Sequence, residues 1–495
     1  MAPTASARPL LWLLAVLLLV RVATLGLYPL LDTTEARYGN VARVMLATDN
    51  WVTPQNAPGD PFWAKPPLYA WAGAGTMAVL GVNEFAVRLP SVLFSALALW
   101  LTILWAQAAA TDRRADATTA RRTSLAAGLV LGTSVLFFVS AGAIMTEASL
   151  LLATTWIGAA FWFAVVRDVA QDRVSALWRW GFFAAVGLGM LAKGPVALVY
   201  AGLPIFAWVC WQRSWLRMWA RLPWIGGTLL SAAICVPWYI VAEIRTPGFL
   251  QYFILGEHFG RFLVPHWQGD KYGGAHANPI GMIWVFWLLA ALPWSFVALG
   301  RGATWWRRRR SGVGTRLDGS ARYLVLAAVV PLVFFTAARN IIWTYPLSAL
   351  PALAVLLAPF LTAEPGAPTV AGLRRWAVVT CVTMITVLGL AYGAVLPRFC
   401  NDRWSAGPIV ARYQQEAAQH PGPLYFVDES VPHSGNFYSA GTARTFWPAA
   451  PTGPVEGTVY LAIKENRSAA ATLAALGDGV TLVASSRGYR LYVRR

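Results

Sequence analysis

The stretch LDTTEARYG, residues 31–39, places two acids and a base, Asp32, Glu35 and Arg37, within six positions, directly after an apolar run. Carboxylates so placed can draw a proton from a hydroxyl, and a neighbouring guanidinium can hold an anion. The same residues also fit the start of a helix, with Asp32 as N-cap and Glu35 at N3 of a capping box. Downstream, Tyr38, Val41 and Met45 share one helical face. Nine residues alone leave both readings standing.

Five more groups carry charge against an apolar background. In FWAKPPLYAW (62–71), Lys65 precedes two prolines that exclude an ordinary helix interior. It is either an interfacial lysine among aromatic residues or a cation for a lipid phosphate. In MTEASLL (145–151), Glu147 opens an apolar run. Thr146 and Glu147 suit a helix start, yet an acid at the mouth of a bundle is costly without a partner or a task. Lys193, in LAKGPVALVY (191–200), lies at a Gly-Pro turn and is a second candidate phosphate cation. Glu257, His258 and Arg261 fall within about one helical turn. The pair Glu257–Arg261 has salt-bridge spacing. Glu257 with His258 is compatible with a divalent metal without requiring one, since His266 and His276 are too loosely spaced to complete a ligand set. Last, ARNIIWTYPLSALP (338–351) carries Arg339 and, near a span mouth, Tyr345.

Membrane spans must position these groups. The 495-residue chain is 57% hydrophobic and only 13% charged, with a mean hydropathy of +0.52. Runs near the bilayer-spanning length recur at 10–30, 88–110, 124–142, 147–166, 180–193, 195–212, 222–242, 280–300, 323–338, 341–361 and 376–396. The net charge of +18 does not indicate a nucleic-acid binder, because the arginines cluster in alternate loops, including seven in 301–322. The positive-inside rule then reads the chain as an α-helical polytopic membrane protein with eleven spans. The run 66–82 becomes an interfacial or re-entrant helix in the outer loop 31–87 rather than a twelfth span. The start of the chain reads as an uncleaved signal anchor. From about 398 the pattern changes to short strands and helices, a small outer-face α/β domain of 398–495 beside a membrane domain of 1–397. The four cysteines, Cys210, Cys235, Cys381 and Cys400, form no CxxC pair.

That topology puts all six groups on one membrane face. Acids to activate a hydroxyl and cations to neutralise a phosphate leaving group are the outfit for sugar transfer from a lipid phosphate.

The ordered segments DTTEARYGNVARVMLATDNWVTP, KPPLYAW, GVNEFAVRLPS, LAKGP, PWY, EHFGRF, LPW and FFTAARNIIWTYPLSALP resemble the lipid A aminoarabinose transferases. These are related to the protein O-mannosyltransferases among the GT-C glycosyltransferases. The resemblance covers about residues 10–360 and implies two juxtamembrane helices in the outer loop 31–87. It implies an inverting transferase of the bacterial inner membrane, with its active site and tail on the periplasmic side. The implied donor is an undecaprenyl-phosphate-like polyprenyl-phosphate sugar. The acceptor would be lipid A, lipopolysaccharide or another envelope glycan. Carried over residue by residue, Lys65, Arg261 and Tyr345 hold the donor phosphate with Arg37 nearby. The family's adjacent acids align with Thr34-Glu35, its aspartate being displaced here to Asp32, so the base is Asp32 or Glu35. A second outer acid aligns with Glu147, and a family lysine aligns with Ile341. No cofactor is required on this reading. A protein hydroxyl as acceptor, or a lipid transporter with mid-bilayer charges such as Arg21, are the alternatives.

Overall fold

The structure is a computed structural model of the whole chain, and it describes residues 7–171, 174–261, 264, 267–273, 276–312, 317–362, 368–399, 404–447, 457–465, 472–474, 479–486 and 488–495. The chain folds as two compact units. The first comprises Met1–Val22, Trp63–Leu68 and Ser91–Val387, and the second Ala23–Phe62, Tyr69–Pro90 and Leu388–Arg495. These units differ from a division at 397/398, since most of the loop 31–87 is grouped with the tail. The physical reason is side-chain pairing over long sequence separations, described below.

The first unit is helical. Its Glu147–Phe161 helix is buried at every position except Trp156, as a helix apolar all round must be. Small residues let its neighbours approach. A methyl group on Gly187, in the Ala176–Lys193 helix, would lie 2.8 Å from Ile234 Cβ and 3.0 Å from the Ser231 carbonyl of the Trp224–Arg245 helix. This is the close packing by small residues that membrane bundles favour. The outward faces stay apolar: Ile225 is 83% and Leu229 66% exposed, surface that a bilayer would cover. Arg21 is buried, with Nη2 donating to the Val139 carbonyl at 3.4 Å.

Among the described residues five helices are long and apolar enough to cross a bilayer: Glu84–Asp112, Glu147–Val166, Trp224–Arg245, Tyr345–Thr362 and Arg375–Phe399. A sixth would be Met282–Ala290 with Trp294–Arg310, bent by 113° where one straight span was expected. Pro293, with no N–H to donate, sits at that break. Helices Val196–Gln212 and Gly319–Phe335 are apolar but 17 residues each, shorter than the ~20 of a typical crossing. The run 66–82 forms a 13-residue helix, Leu68–Leu80, too short to span.

In the second unit, helix Thr34–Thr48 carries Tyr38, whose ring lies 4.8 Å from that of Tyr69 and 6.0 Å from that of Phe62. A short antiparallel pair, β1 (Gln55–Ala57) and β2 (Asp60–Pro61), closes the loop between them. The tail forms a five-stranded mixed sheet from β3 (Leu424–Val427), β4 (Arg444–Phe446), β5 (Val459–Lys464), β6 (Val480–Ser485) and β7 (Tyr489–Arg494), in the order β4-β3-β5-β7-β6. Strands β4 and β5 run parallel to β3, whereas β7 runs antiparallel to β5 and β6. Alternation in β5 is apolar on both sides. Tyr460 and Ala462 pack with Ile409 and Val410 of helix Gly407–Ala417, while Leu461 and Ile463 pack with Val427 and Tyr492. A central strand covered on both faces reads this way. The expected helix at 468–477 lies largely outside the described residues.

The Gly187 contact makes a direct stability test. Gly187→Val should cost about 1–3 kcal/mol through overpacking, seen as a lower melting midpoint in detergent. Gly75→Ala, where a methyl group meets nothing within 4 Å, should be neutral or gain up to ~1 kcal/mol of helix propensity. Equal midpoints for Gly187→Val and the unaltered chain would refute the packing argument.

Candidate active site

Two clusters of charged side chains emerge, one in each unit. In the first unit, Lys65, Glu257, Arg261 and Asp270 form a chain of ion pairs. Lys65 Nζ lies 3.2 Å and Arg261 Nη1 3.1 Å from Glu257 Oε2. Arg261 Nη2 is 3.1 Å from Asp270 Oδ2. The Tyr252 hydroxyl donates to Glu257 Oε1 at 3.0 Å. The segment Gln251–Gly260 is a π-helix, whose wider turn brings residues five apart together. Tyr252 thereby reaches Glu257, and the Phe253 carbonyl meets His258 Nδ1 at 2.8 Å. Pro66 and Pro67 keep Lys65 out of the following helix, and its Nζ also donates to the Ala64 carbonyl at 2.7 Å.

Burial alone would push the Glu257 carboxyl up, but the ammonium of Lys65 and the guanidinium of Arg261 outweigh it and hold the group at about 2. Burial pulls the Lys65 ammonium below its ordinary value, with Glu257 opposing. Lys271 adds a cation that the motif reading missed. Its Nζ sits 4.1 Å from the ring centre of Trp63 and 5.4 Å from that of Tyr252.

Lys193 and Glu147 are each other's partners. Lys193 Nζ lies 2.8 Å from Glu147 Oε1, which also accepts from Thr344 Oγ1 at 3.0 Å. Thr146 does not cap the Glu147 helix with its side chain, and its hydroxyl donates to Glu147 Oε2 at 3.3 Å. Lys193 is the last residue of its helix, and its Nζ lies 5.2 Å from the ring centre of Tyr345. So Lys65, Arg261, Lys193, Tyr345 and Glu147 all belong to this unit. A metal on Glu257 and His258 finds no support in the geometry, because Glu257 is engaged by Lys65, Arg261 and Tyr252, and His258 Nδ1 by a carbonyl. Among the described residues no three His, Cys, Asp or Glu side chains are grouped to hold a metal ion.

The second unit holds Asp32, Glu35 and Arg37. The capping box is half realised. Helix Thr34–Thr48 has Thr33 at its N-cap with no side-chain cap bond, so Asp32 is not the cap. Glu35 does reach back, its Oε2 accepting from Leu31 N at 3.2 Å. That carboxylate is then taken by Arg88, which donates from Nε to Oε1 at 2.8 Å and from Nη2 to Oε2 at 3.0 Å. Arg88 is fully buried. Its remaining donors reach the carbonyls of Leu25 (2.6 Å), Tyr28 (2.7 Å) and Pro29 (3.0 Å). Tyr438 Oη accepts from Leu30 N and donates to Glu84 Oε1, both at 2.8 Å. The loop before the helix is thus pinned residue by residue.

Asp32 comes out of that loop with a different partner. Its N–H donates to the Trp404 carbonyl at 2.7 Å. Its carboxylate accepts from Ser434 N at 3.0 Å and from the Ser434 hydroxyl in a short hydrogen bond. Burial pushes the Asp32 carboxyl above its ordinary value, and the two Ser434 bonds pull it part of the way back. Arg37 Nε donates to His433 Nε2 at 3.0 Å. Burial, then the Arg37 charge, lower His433 to about 4, so the ring is neutral near pH 7 and can accept. Arg88, Ser434, His433 and Tyr438 were missed by sequence reasoning. Only Arg88 left a signal, a lone charge entering an apolar run in GVNEFAVRLPS.

Residues 7–253 match the family described as dolichyl-phosphate-mannose-protein mannosyltransferase. The chain is 31% identical over 345 residues to an undecaprenyl phosphate-alpha-4-amino-4-deoxy-L-arabinose arabinosyl transferase of Erwinia tasmaniensis, covering 68% of this chain and 56% of that one. A protein of the same description from Pseudomonas aeruginosa is 29% identical over 332 residues, 65% of this chain and 54% of the other. The chain spans about half the length of the curated relatives it matches. In fold it resembles the crystal structure of ArnT from Cupriavidus metallidurans bound to undecaprenyl phosphate, with a TM-score of 0.75, 19% identity and coverage of 99% and 98% of the two chains. The apo form of that protein gives a TM-score of 0.72.

Two outcomes follow from the pairs. Arg88→Met should lower stability by roughly 3–5 kcal/mol, the usual loss when one partner of a buried ion pair is removed. An unchanged melting midpoint would show the pair to be idle. Glu257, held at about 2, is lowered from its unfolded value of ~4.3. Its contribution is therefore complete above that unfolded value and drains away as the pH falls toward about 2. Between pH 5 and 3 the unaltered chain should lose more melting temperature than Glu257→Gln. Parallel losses would contradict the assignment.

Proposed function

We propose that this chain, which belongs to the GT-C membrane glycosyltransferases of the aminoarabinose-transferase and protein-mannosyltransferase type, transfers a sugar from a polyprenyl phosphate to a hydroxyl on a cell-envelope acceptor. The observation that carries the reading is the cluster of Lys65, Arg261, Lys193 and Tyr345 in one helical unit. Cations gathered where the backbone leaves the spans suit the charge that develops on a departing lipid phosphate. The phosphate competes with Glu257 for Lys65 and Arg261, and the displaced carboxylate keeps the Tyr252 hydroxyl as a donor.

Hydroxyl activation falls to Asp32. Glu35 shares its carboxylate with a fully buried guanidinium and a backbone N–H, which fits a positioning role. Asp32, raised by burial, is the better proton acceptor, because general bases work best with pKa values nearer the working pH. Displacement at the anomeric carbon then proceeds in line with inversion, through an oxocarbenium-like state, with the phosphate oxygen taking the bonding electrons. Glu147 serves as the counter-charge that keeps Lys193 in place. The cations suffice for the leaving group, so no divalent metal is assigned. Transfer that survives a chelator agrees with this.

The resemblance to the lipid A aminoarabinose transferases makes lipid A or lipopolysaccharide the preferred acceptor, in a bacterial inner membrane with eleven crossings and the charged clusters on the periplasmic side. A protein hydroxyl is the second reading, favoured by the match to the protein mannosyltransferases over the first half of the chain. Mass spectrometry of lipid A, surface glycans and envelope proteins from a deletion strain separates the two. Unchanged glycans of every kind would count against both.

Asp32→Asn should reduce transfer by about 10²–10⁴-fold while the melting midpoint stays within a degree or two. Lys65→Ala and Arg261→Ala should raise KM for the lipid donor. If Asp32→Asn keeps normal turnover, the base is elsewhere.

A further inference from the structure

The carboxylate of Asp32 and the side chain that holds it lie 402 positions apart in the chain. Ser434 is the second residue of the short helix His433–Tyr438, which follows β3 in the tail. It donates both its backbone N–H and its hydroxyl to the two oxygens of Asp32. The same hydroxyl accepts from the Ala406 N–H at 2.8 Å, so its proton is left to point at the carboxylate. Ser434 is fully buried, and its neighbour Gly435 has no room for a side chain, since a methyl group there would come within 3.0 Å of the Phe426 ring. The serine is therefore clamped from behind and aimed forward.

We propose that Ser434 is a positioning residue for the Asp32 carboxylate, and that the tail is in this way a working part of the transferase and not an appended domain. Two donors on one carboxylate fix its rotation and leave it one direction in which to meet an acceptor hydroxyl.

Other charges face the same carboxylate. Lys464 on β5 favours the anion, and Glu429, after β3, opposes it. Glu429 itself is tied to Lys464 at 3.2 Å and to the Tyr489 hydroxyl of β7 at 2.7 Å. His433 beside Ser434 is neutral and engaged with Arg37. None of these replaces a hydroxyl in direct contact, so removing that hydroxyl should make the anion less favourable and raise the pH at which Asp32 ionises.

The proposal rests on Asp32 being the base, and the test keeps the two claims apart. The full chain in nanodiscs is titrated by infrared spectroscopy, and the Asp32 carboxylate band is assigned by its disappearance in Asp32→Asn. In Ser434→Ala the midpoint of that band should rise by about one pH unit, and Ser434→Thr, which keeps the hydroxyl, should restore it. Sugar transfer is followed in parallel, with undecaprenyl phosphate-α-4-amino-4-deoxy-L-arabinose as donor and lipid A as acceptor. Ser434→Ala should lower kcat by roughly 10-fold with KM for the donor nearly unchanged. An unmoved infrared midpoint in Ser434→Ala overturns the proposal, as does an equal shift in Ser434→Thr. Normal transfer by Asp32→Asn overturns instead the assignment of the base, whatever Ser434 does to the titration.

Discussion

One buried guanidinium organises the second unit. Arg88 lies in the first turns of the helix Glu84–Asp112, and it spends its donors on one carboxylate and three carbonyls. A charge so buried is costly alone and acceptable only when matched. Its partners are the loop 25–29 and Glu35, so the condition that keeps Arg88 tolerable is the same one that fixes the loop. Asp32 inherits its place from that loop and its orientation from Ser434. An acid whose role needs an accurate position is thus held by neighbours whose role is electrostatic.

The first unit solves a related problem differently. Its cations are not left bare: Lys65 and Arg261 share Glu257, Arg261 also meets Asp270, and Lys193 pairs with Glu147. Pairing offsets the mutual repulsion of these cations, since Lys193 and Arg261 disfavour the charged Lys65 while Glu257 favours it. It also tunes the cluster for an anionic ligand, because a phosphate offers more acceptor oxygens than the carboxylate it rivals. The π-helical turn at 251–260 is what allows Tyr252 to complete the shell around Glu257.

Much of this was legible in the linear sequence, and the reasons differ by residue. Lys65 stood out because prolines isolate it, and Glu257 with Arg261 because they share one helical turn. The short helix Leu68–Leu80 was foreseen from the charge of distant loops. What stayed hidden was pairing without periodicity. Arg88 meets Glu35 across 53 positions, and Ser434 lies in a six-residue helix of the tail that carries no recognisable motif. Asp32 and Glu35 looked like one motif with one duty, whereas the fold divides them, since a capping box specifies local spacing and says nothing of a second partner. The same holds for the grouping of the chain into compact units. Composition changes near residue 398, but contacts gather the loop and the tail together.

The discontinuity of the second unit has a consequence in time. Asp32 is synthesised 402 positions before Ser434. At about 5–20 residues per second, synthesis separates them by roughly 20–80 s. During that interval the bundle can insert while its acid has no one to orient it. A chain cut short of Ser434 lacks both donors that hold the Asp32 carboxylate.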